Sequence, residues 1–248
     1  MSVLEEKNTT ENEVSTAGIL QAQFRIRAFR AIEDHGSCQK FYEGHVGVLS
    51  EYGITNLRTS ESKWLNDENV WVVLAEDMEG NTVGGLRIHK YTGQQSIPLI
   101  EALVELDPKI VNSFDKARPE GTAEVCALWN AKKVLGKGIS PLLCMCSVVI
   151  VRRIGLKSFY CFSAPYTEKM IKTNGCIDLE EVGDKGRFHY PSEKYISIVL
   201  FNPDVGKLEF AAAFNKSRIQ SLCSQPEQTF NETSARGDFL VKYDLRCS

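Results

Sequence analysis

Residues 121–162 read GTAEVCALWN AKKVLGKGIS PLLCMCSVVI VRRIGLKSFY CF. Ala123 to Trp129 predicts a strand. Asn130 to Ser140 predicts a loop carrying Lys132, Lys133, Gly136, Lys137 and Gly138. Ser140-Pro141 predicts a helix start, with Ser at the N-cap and Pro at the first helical position, where its missing N–H costs nothing. Ile139, Leu142, Leu143, Cys146, Val149, Ile150 and Ile154 then follow at three- and four-residue spacings, the mark of one buried helix face. Gly155 ends the helix, and Leu156 to Phe162 predicts the next strand. A glycine loop between a strand and a helix N-terminus suits phosphate. Backbone N–H groups point outward, the helix dipole favours negative charge, and lysines add to it.

The whole chain sets bounds on that reading. It has 248 residues, with 43% apolar and 25% charged, which is the balance of a soluble globular protein. A net charge of −3 provides no basic field for nucleic acid. No apolar run reaches the roughly 18 residues of a membrane span. The first 16 residues are polar and acidic and lack the apolar core of a signal peptide, so the expected location is the cytoplasm. The eight cysteines form no C-x-x-C pair. Buried reduced thiols are expected, and no metal site.

Around the central stretch the chain alternates between strand and helix patterns. Residues 1–17 read as a flexible tail. Gln23 to Ile32 alternates as a half-buried strand. Asp34 and Ser37 offer caps for a helix to about Tyr52, with His45 on its apolar face. Val70–Glu76 and Thr82–His89 predict a hairpin, and Gly84-Gly85 marks a bulge or a close backbone approach. Short helices are expected from Pro98 to Glu105 and from Asp107 to Phe114. After the central stretch come a helix over 164–174, then strands over 177–182 and 195–201 joined by a charged loop. A helix over 205–222, a polar loop over 224–237 and a last strand carrying Phe239, Val241 and Tyr243 complete the chain.

The strand, the loop ending Gly136-Lys137-Gly138-Ile139 and the paired Leu142-Leu143 resemble the central motif of the GNAT superfamily of acyl-CoA N-acyltransferases. The resemblance spans about residues 24–201. Leu135 stands where that motif has Arg or Gln, and Ser140 where it has Gly or Ala. The resemblance implies an α/β (α+β) fold: a mixed, mostly antiparallel twisted sheet flanked by helices, open as a V between the fourth and fifth strands. Residues 18–203 would form the acyltransferase domain. Residues 204–248 would be a helix-strand extension packing on it.

The same resemblance assigns candidate roles. Leu128, Trp129 and Asn130 would pair through their backbone with pantetheine. Leu135, Gly136, Lys137, Gly138, Ile139 and Ser140 would cradle the pyrophosphate of acetyl-CoA or another acyl-CoA. Glu124 is the candidate base. As a carboxylate in an apolar strand it should have a raised pKa. At about 3.3 Å per residue it lies roughly 13 Å from Leu128, which suits the acceptor cleft. Tyr166 is the candidate acid. The rings of Trp129 and Tyr160 either wall the acyl tunnel or, the commoner role, pack in the core.

The implied activity moves an acyl group, acetyl first, to a primary amine on a small molecule. Val83-Gly84-Gly85-Leu86-Arg87-Ile88, followed by an excursion with Pro98-Leu99, also resembles the G-x-x-R-L segment of N-acyl amino acid and acyl-homoserine-lactone synthases, which accept acyl groups from acyl carrier protein. The W-x6-E-x-D signature of the lactone synthases is absent. A non-catalytic acyl-thioester-binding module is the third reading. G-x-S-x-G, the third glycine of a Rossmann turn and Walker lysine spacing are all missing.

Overall fold

Strand β1 (Phe24–Arg30) buries Phe24, Ile26 and Ala28, the period-2 pattern of a strand with one face on a core. The computed structural model describes residues 23–51, 53 and 62–247. The expected tail over 1–17 and the expected helix end at Tyr52 lie outside the described residues. Helix α1 (His35–Glu51) begins where Asp34 Oδ1 accepts the Ser37 N–H at 3.0 Å. That bond satisfies one of the orphan donors of the first turn.

Strands β2 (Val70–Asp77) and β3 (Thr82–Lys90) form the expected hairpin. Gly84 and Gly85 are there for space. A Cβ on Gly84 would lie 2.8 Å from Trp129 O, and one on Gly85 would lie 2.8 Å from both Val73 O and the Phe41 ring. Helices α2 (Pro98–Leu103) and α3 (Lys109–Ala117) occupy the excursion that follows. The central stretch folds as β4 (Thr122–Asn130), α4 (Ile139–Arg153) and β5 (Ser158–Ser163).

The C-terminal part holds α5 (Glu168–Lys172), β6 (Ile177–Asp178), β7 (Arg187–His189), β8 (Ile196–Asn202), α6 (Ala213–Ser224), β9 (Glu227–Ser234) and β10 (Gly237–Asp244). All ten strands join one sheet in the order β6-β8-β5-β4-β3-β2-β1-β10-β9, with β7 also on the β8 edge. Pairings are antiparallel except β4 with β5 and β1 with β10. This is the mixed, mostly antiparallel sheet anticipated from the sequence.

Strand β2 shows how the layers form. Trp71, Val73 and Ala75 pack into the core that contains α4 and α6, whereas Val70, Val72 and Leu74 pack with Phe41 of α1. Alternate residues serve opposite faces, so β2 is buried on both sides and helices cover both. Helices α2 and α3 close a third cluster with Tyr160 and Val199.

Four expectations are corrected. The strand expected over 177–182 stops at Asp178. Gly183 and Gly186, both at positive φ, turn the chain so that β7 forms beside the same partner. The helix expected over 164–174 is a 3-10 turn, Pro165–Thr167, followed by the short α5. The helix expected from Val205 starts only at Ala213. Asp204 Oδ1 accepts the Gly206 and Lys207 N–H groups and holds a turn that competes with helix. The polar loop expected over 224–237 is largely strand β9. Its buried Glu232 accepts the Tyr243 hydroxyl at 2.8 Å and lies 3.6 Å from Arg218, so an inward polar residue masks the alternation.

Two glycines of α1 offer a paired test of this packing. A Cβ on Gly44 would fall 2.1 Å from the Trp129 ring, whereas one on Gly47 would meet nothing within 4 Å. Gly44→Ala is expected to destabilise by roughly 1–3 kcal/mol. Gly47→Ala is expected to stabilise by about 0.5–1 kcal/mol. Urea unfolding of the two variants measures both.

Candidate active site

The parallel ladder between β4 and β5 runs from Thr122–Ser158 to Val125–Cys161 and stops. Beyond it β4 continues to Asn130, bonded only to β3. On that side Arg87 faces Cys126 and Gly85 faces Trp129, so β4 carries one extra residue. Ala127, at φ 52, sits in this bulge. A bulge bends its strand and increases the local twist. Here it carries β4 away from β5, and a cavity of about 280 Å³ occupies the gap. Its walls include Val125 and Leu86, which face the α4 core, and also Glu124 and Cys126 from the alternate positions of β4. The cavity therefore crosses the plane of the sheet.

Glu124 reaches this cavity from β4 and is 2% exposed. Its Oε2 accepts the Leu99 N–H at 2.9 Å. Burial pushes its pKa up to about 7, against the pull of the Leu99 N–H and the Arg87 charge. His45 of α1 forms part of the wall, where burial first and Arg87 second lower its pKa to about 4, so its ring is neutral. Cys126, Cys144, Cys161 and Cys176 also line the cavity and are free thiols. Burial pushes Cys126 up to about 12 and raises Cys144 and Cys176 as well, which makes them unreactive lining.

Of the other candidate residues, Leu128 lines the cavity. Trp129 turns its ring the other way, 6.1 Å from Phe41, and packs in the α1 core. Tyr160 sits between Phe114 and Phe201 with its hydroxyl on Ser113 O at 2.9 Å. Tyr166 stands on the cavity rim in the turn Pro165–Thr167 and is 89% exposed.

The glycine loop differs from expectation in two respects. Helix α4 starts at Ile139, with Gly138 at the N-cap at φ 77, so Ser140 is inside the first turn. The Ser140 hydroxyl donates to Asn130 Oδ1 and ties the loop back to β4. Pro141 remains harmless there, because first-turn N–H groups have no helical acceptor. The loop lysines also turn away. Lys132 pairs with Glu51 at 3.0 Å, Lys133 with Asp77 at 2.7 Å, and the Lys137 ammonium lies 5.4 Å from the Phe24 ring centroid. A groove of about 710 Å³ runs along Leu135, Gly136, Gly138, Ile139 and Ser140.

Sequence reasoning missed the lining role of Cys144, Ser147, Ile171 and Cys176. The small Cys144 and Ser147, three apart on one face of an apolar helix, were the available signal. A second, polar cleft of about 260 Å³ meets the cavity at Pro98. Trp64 and His89 line it, and their buried Nε1 and Nε2 atoms have no hydrogen-bond partner among the described residues. Among the described residues no cluster of His, Cys, Asp and Glu could hold a metal ion, and no helix is long and apolar enough to cross a membrane.

Comparison with known proteins bears on this geometry. No family model matches the chain, and no curated protein matches it in sequence. Solved structures do match. FeeM, an N-acyl amino acid synthase from uncultured soil microbes, aligns with a TM-score of 0.57 at 12% identity, over 79% of this chain and 99% of its own. BjaI, a CoA-dependent acyl-homoserine lactone synthase solved with SAM and isopentyl-CoA, aligns at 0.55 and 13% identity over 92% and 94%. An acyl-CoA N-acyltransferase from Pseudomonas aeruginosa aligns at 0.51 and 10% identity over 72% and 99%. The chain has the GNAT fold. Within that fold the split between β4 and β5, the bulge at Ala127 and the glycine loop before α4 are positioned around one cavity and one groove.

The raised pKa of Glu124 has a consequence for stability. The native carboxyl holds its proton up to about pH 7, whereas the ordinary value is 4.5. The stabilisation is complete below about pH 4.5 and is lost as pH rises through 7. Its size is about 3 kcal/mol across that window. Glu124→Gln, which keeps an acceptor for Leu99, is expected to flatten this dependence. Urea unfolding at pH 5 and pH 8 for both proteins measures it.

Proposed function

We propose that this chain is an N-acyltransferase that moves an acyl group from an acyl-CoA thioester to a primary amine. The observation that carries the reading is Glu124, a buried carboxyl with a pKa near 7 in a cavity at the β4–β5 gap. An amine is mostly protonated at neutral pH and must lose a proton before it attacks. The Glu124 carboxylate takes that proton, directly or through one water. The amine nitrogen then bonds to the thioester carbonyl carbon, the C–S bond breaks, and the thiol leaves with a proton. Leu128, Trp129 and Asn130 lie on the stretch of β4 that β5 leaves unpaired, where the pantetheine arm would align strand-like. Tyr166, on the rim, would give the leaving thiolate its proton. The likeness to FeeM, BjaI and the Pseudomonas enzyme supports acyl transfer through the shared fold.

The shape of the cavity favours acyl chains longer than acetyl. At roughly 30 Å³ for each water-sized group, the three heavy atoms of acetyl fill about a third of it. The part walled by Phe159, Ile171, Cys144, Cys161 and Cys176 is apolar. The polar cleft beside Trp64 and His89 would take a hydrogen-bonding head group of the acceptor. That pairing of a hydrophobic acyl cavity with a polar acceptor cleft supports the N-acyl amino acid synthase-like reading, with acyl carrier protein as the alternative donor.

Thiol release is the measurement, with acyl-CoAs from two to twelve carbons and a panel of amines that includes free amino acids. Turnover is expected to rise from acetyl to medium chains. Exclusive use of acetyl-CoA would remove the longer-chain reading. Glu124→Gln should bind CoA normally but lose roughly 10²- to 10⁴-fold in kcat, with partial recovery at high pH. Wild-type kcat should climb as pH passes through about 7. Normal turnover by Glu124→Gln would take this residue out of the mechanism. CoA binding without turnover of any donor would favour the binding-module reading.

A further inference from the structure

The groove along the glycine loop has one wall made by the C-terminal extension. Strand β10 pairs in parallel with β1, and β9 pairs with β10. This hairpin brings Thr233, Ser234 and Phe239 to the groove, and α6 brings Phe214 and Asn215. The approach is close. A Cβ on Gly138 would meet Ser234 at 3.6 Å and Phe239 at 3.8 Å. A Cβ on Gly136 would stand 3.0 Å from the Nε of Arg236, in the turn between β9 and β10.

The charge at the loop is the reason this matters. Leu135 occupies the place where the related motif carries a basic or amide side chain, and it is 47% exposed. Lys132, Lys133 and Lys137 are engaged elsewhere, with Glu51, Asp77 and the Phe24 ring. Arg236 is exposed, is not ion-paired among the described residues, and lies beside the loop glycine Gly136. Glu232 also lines the groove, but the Tyr243 hydroxyl and Arg218 hold it. Phe214 also lines the groove and presents a ring that is 67% exposed, with the Arg218 guanidinium 5.8 Å from its centroid. A guanidinium beside the loop that opens α4 suits a phosphate, and an exposed ring on the same groove suits a planar base.

We infer that the C-terminal extension completes the donor site, with Arg236 holding the phosphates and Phe214 the adenine of a nucleotide-bearing thioester. The inference rests on the acyltransferase reading above and deepens it. Arg236, delivered from the other end of the chain, takes the place of the charge that Leu135 lacks. The nucleotide half is also what separates CoA from an acyl carrier protein, since both carry the same phosphopantetheine arm. Recognition by Arg236 and Phe214 therefore selects the free cofactor thioester.

Isothermal titration of the full chain with CoA and with adenosine 3′,5′-bisphosphate tests this, on wild type, Arg236→Gln, Arg236→Lys and Phe214→Ala. Both sites are exposed, and an unchanged Tm checks that each variant is folded. Arg236→Gln is expected to weaken both probes by about tenfold or more, with Arg236→Lys recovering part of the loss. Phe214→Ala is expected to weaken both probes as well. Wild-type affinity for CoA in Arg236→Gln and Phe214→Ala would overturn the inference and leave the acyltransferase reading intact. A wild-type chain that binds neither probe would overturn both the inference and the CoA donor.

Discussion

The cavity of this molecule depends on the point where β4 and β5 stop pairing. Two parallel strands of a continuous sheet normally share hydrogen bonds along their whole common length. Here the ladder ends at Val125 and Cys161, and the extra residue at Ala127 turns β4 aside. The consequence is an opening through the middle of the sheet, bordered by backbone that only β3 has claimed. Such an edge suits the thioester arm proposed above, because main-chain groups can hold its amides as a strand would be held. The remaining sheet pays no visible penalty, since β2, β3 and both helical layers bury their side chains normally around it.

The bulge also explains the company that Glu124 keeps. Strand positions alternate between faces, so Glu124 and Cys126 look toward α1 and α2, while Val125 looks toward α4. A carboxyl in that position is largely withdrawn from water, and the Leu99 N–H donates to it. Desolvation raises its pKa toward neutrality. The same burial that would be a defect in a purely structural strand gives a group that exchanges a proton at physiological pH.

The C-terminal hairpin supplies one wall of the groove along the glycine loop. The strands of the sheet up to β8 place a glycine loop at a helix start, with its own lysines folded back onto Glu51, Asp77 and Phe24. Strand β10 then adds to the edge of β1 and carries Ser234 and Arg236 to that loop. A groove that the central motif builds alone in outline becomes two-sided only when the last strands are in place.

The sequence by itself determined the order of elements around the centre. Periodicity, the glycines and Ser140-Pro141 located β4, the loop, α4 and β5 to within a few residues, because local backbone preferences and burial of one face act over short stretches. It also marked Glu124 as a carboxylate with apolar neighbours. Only the tertiary structure decided where charges and gaps lie. The pairing of Lys132, Lys133 and Lys137 with residues far away in sequence, the satisfaction of Glu232 by Tyr243 and Arg218, and the arrival of Arg236 at Gly136 all depend on partners brought together by the sheet. The four cysteines of the cavity read as ordinary core residues for the same reason. A small apolar side chain looks identical in sequence whether its neighbour is another side chain or an opening, and strand splaying alone distinguishes the two.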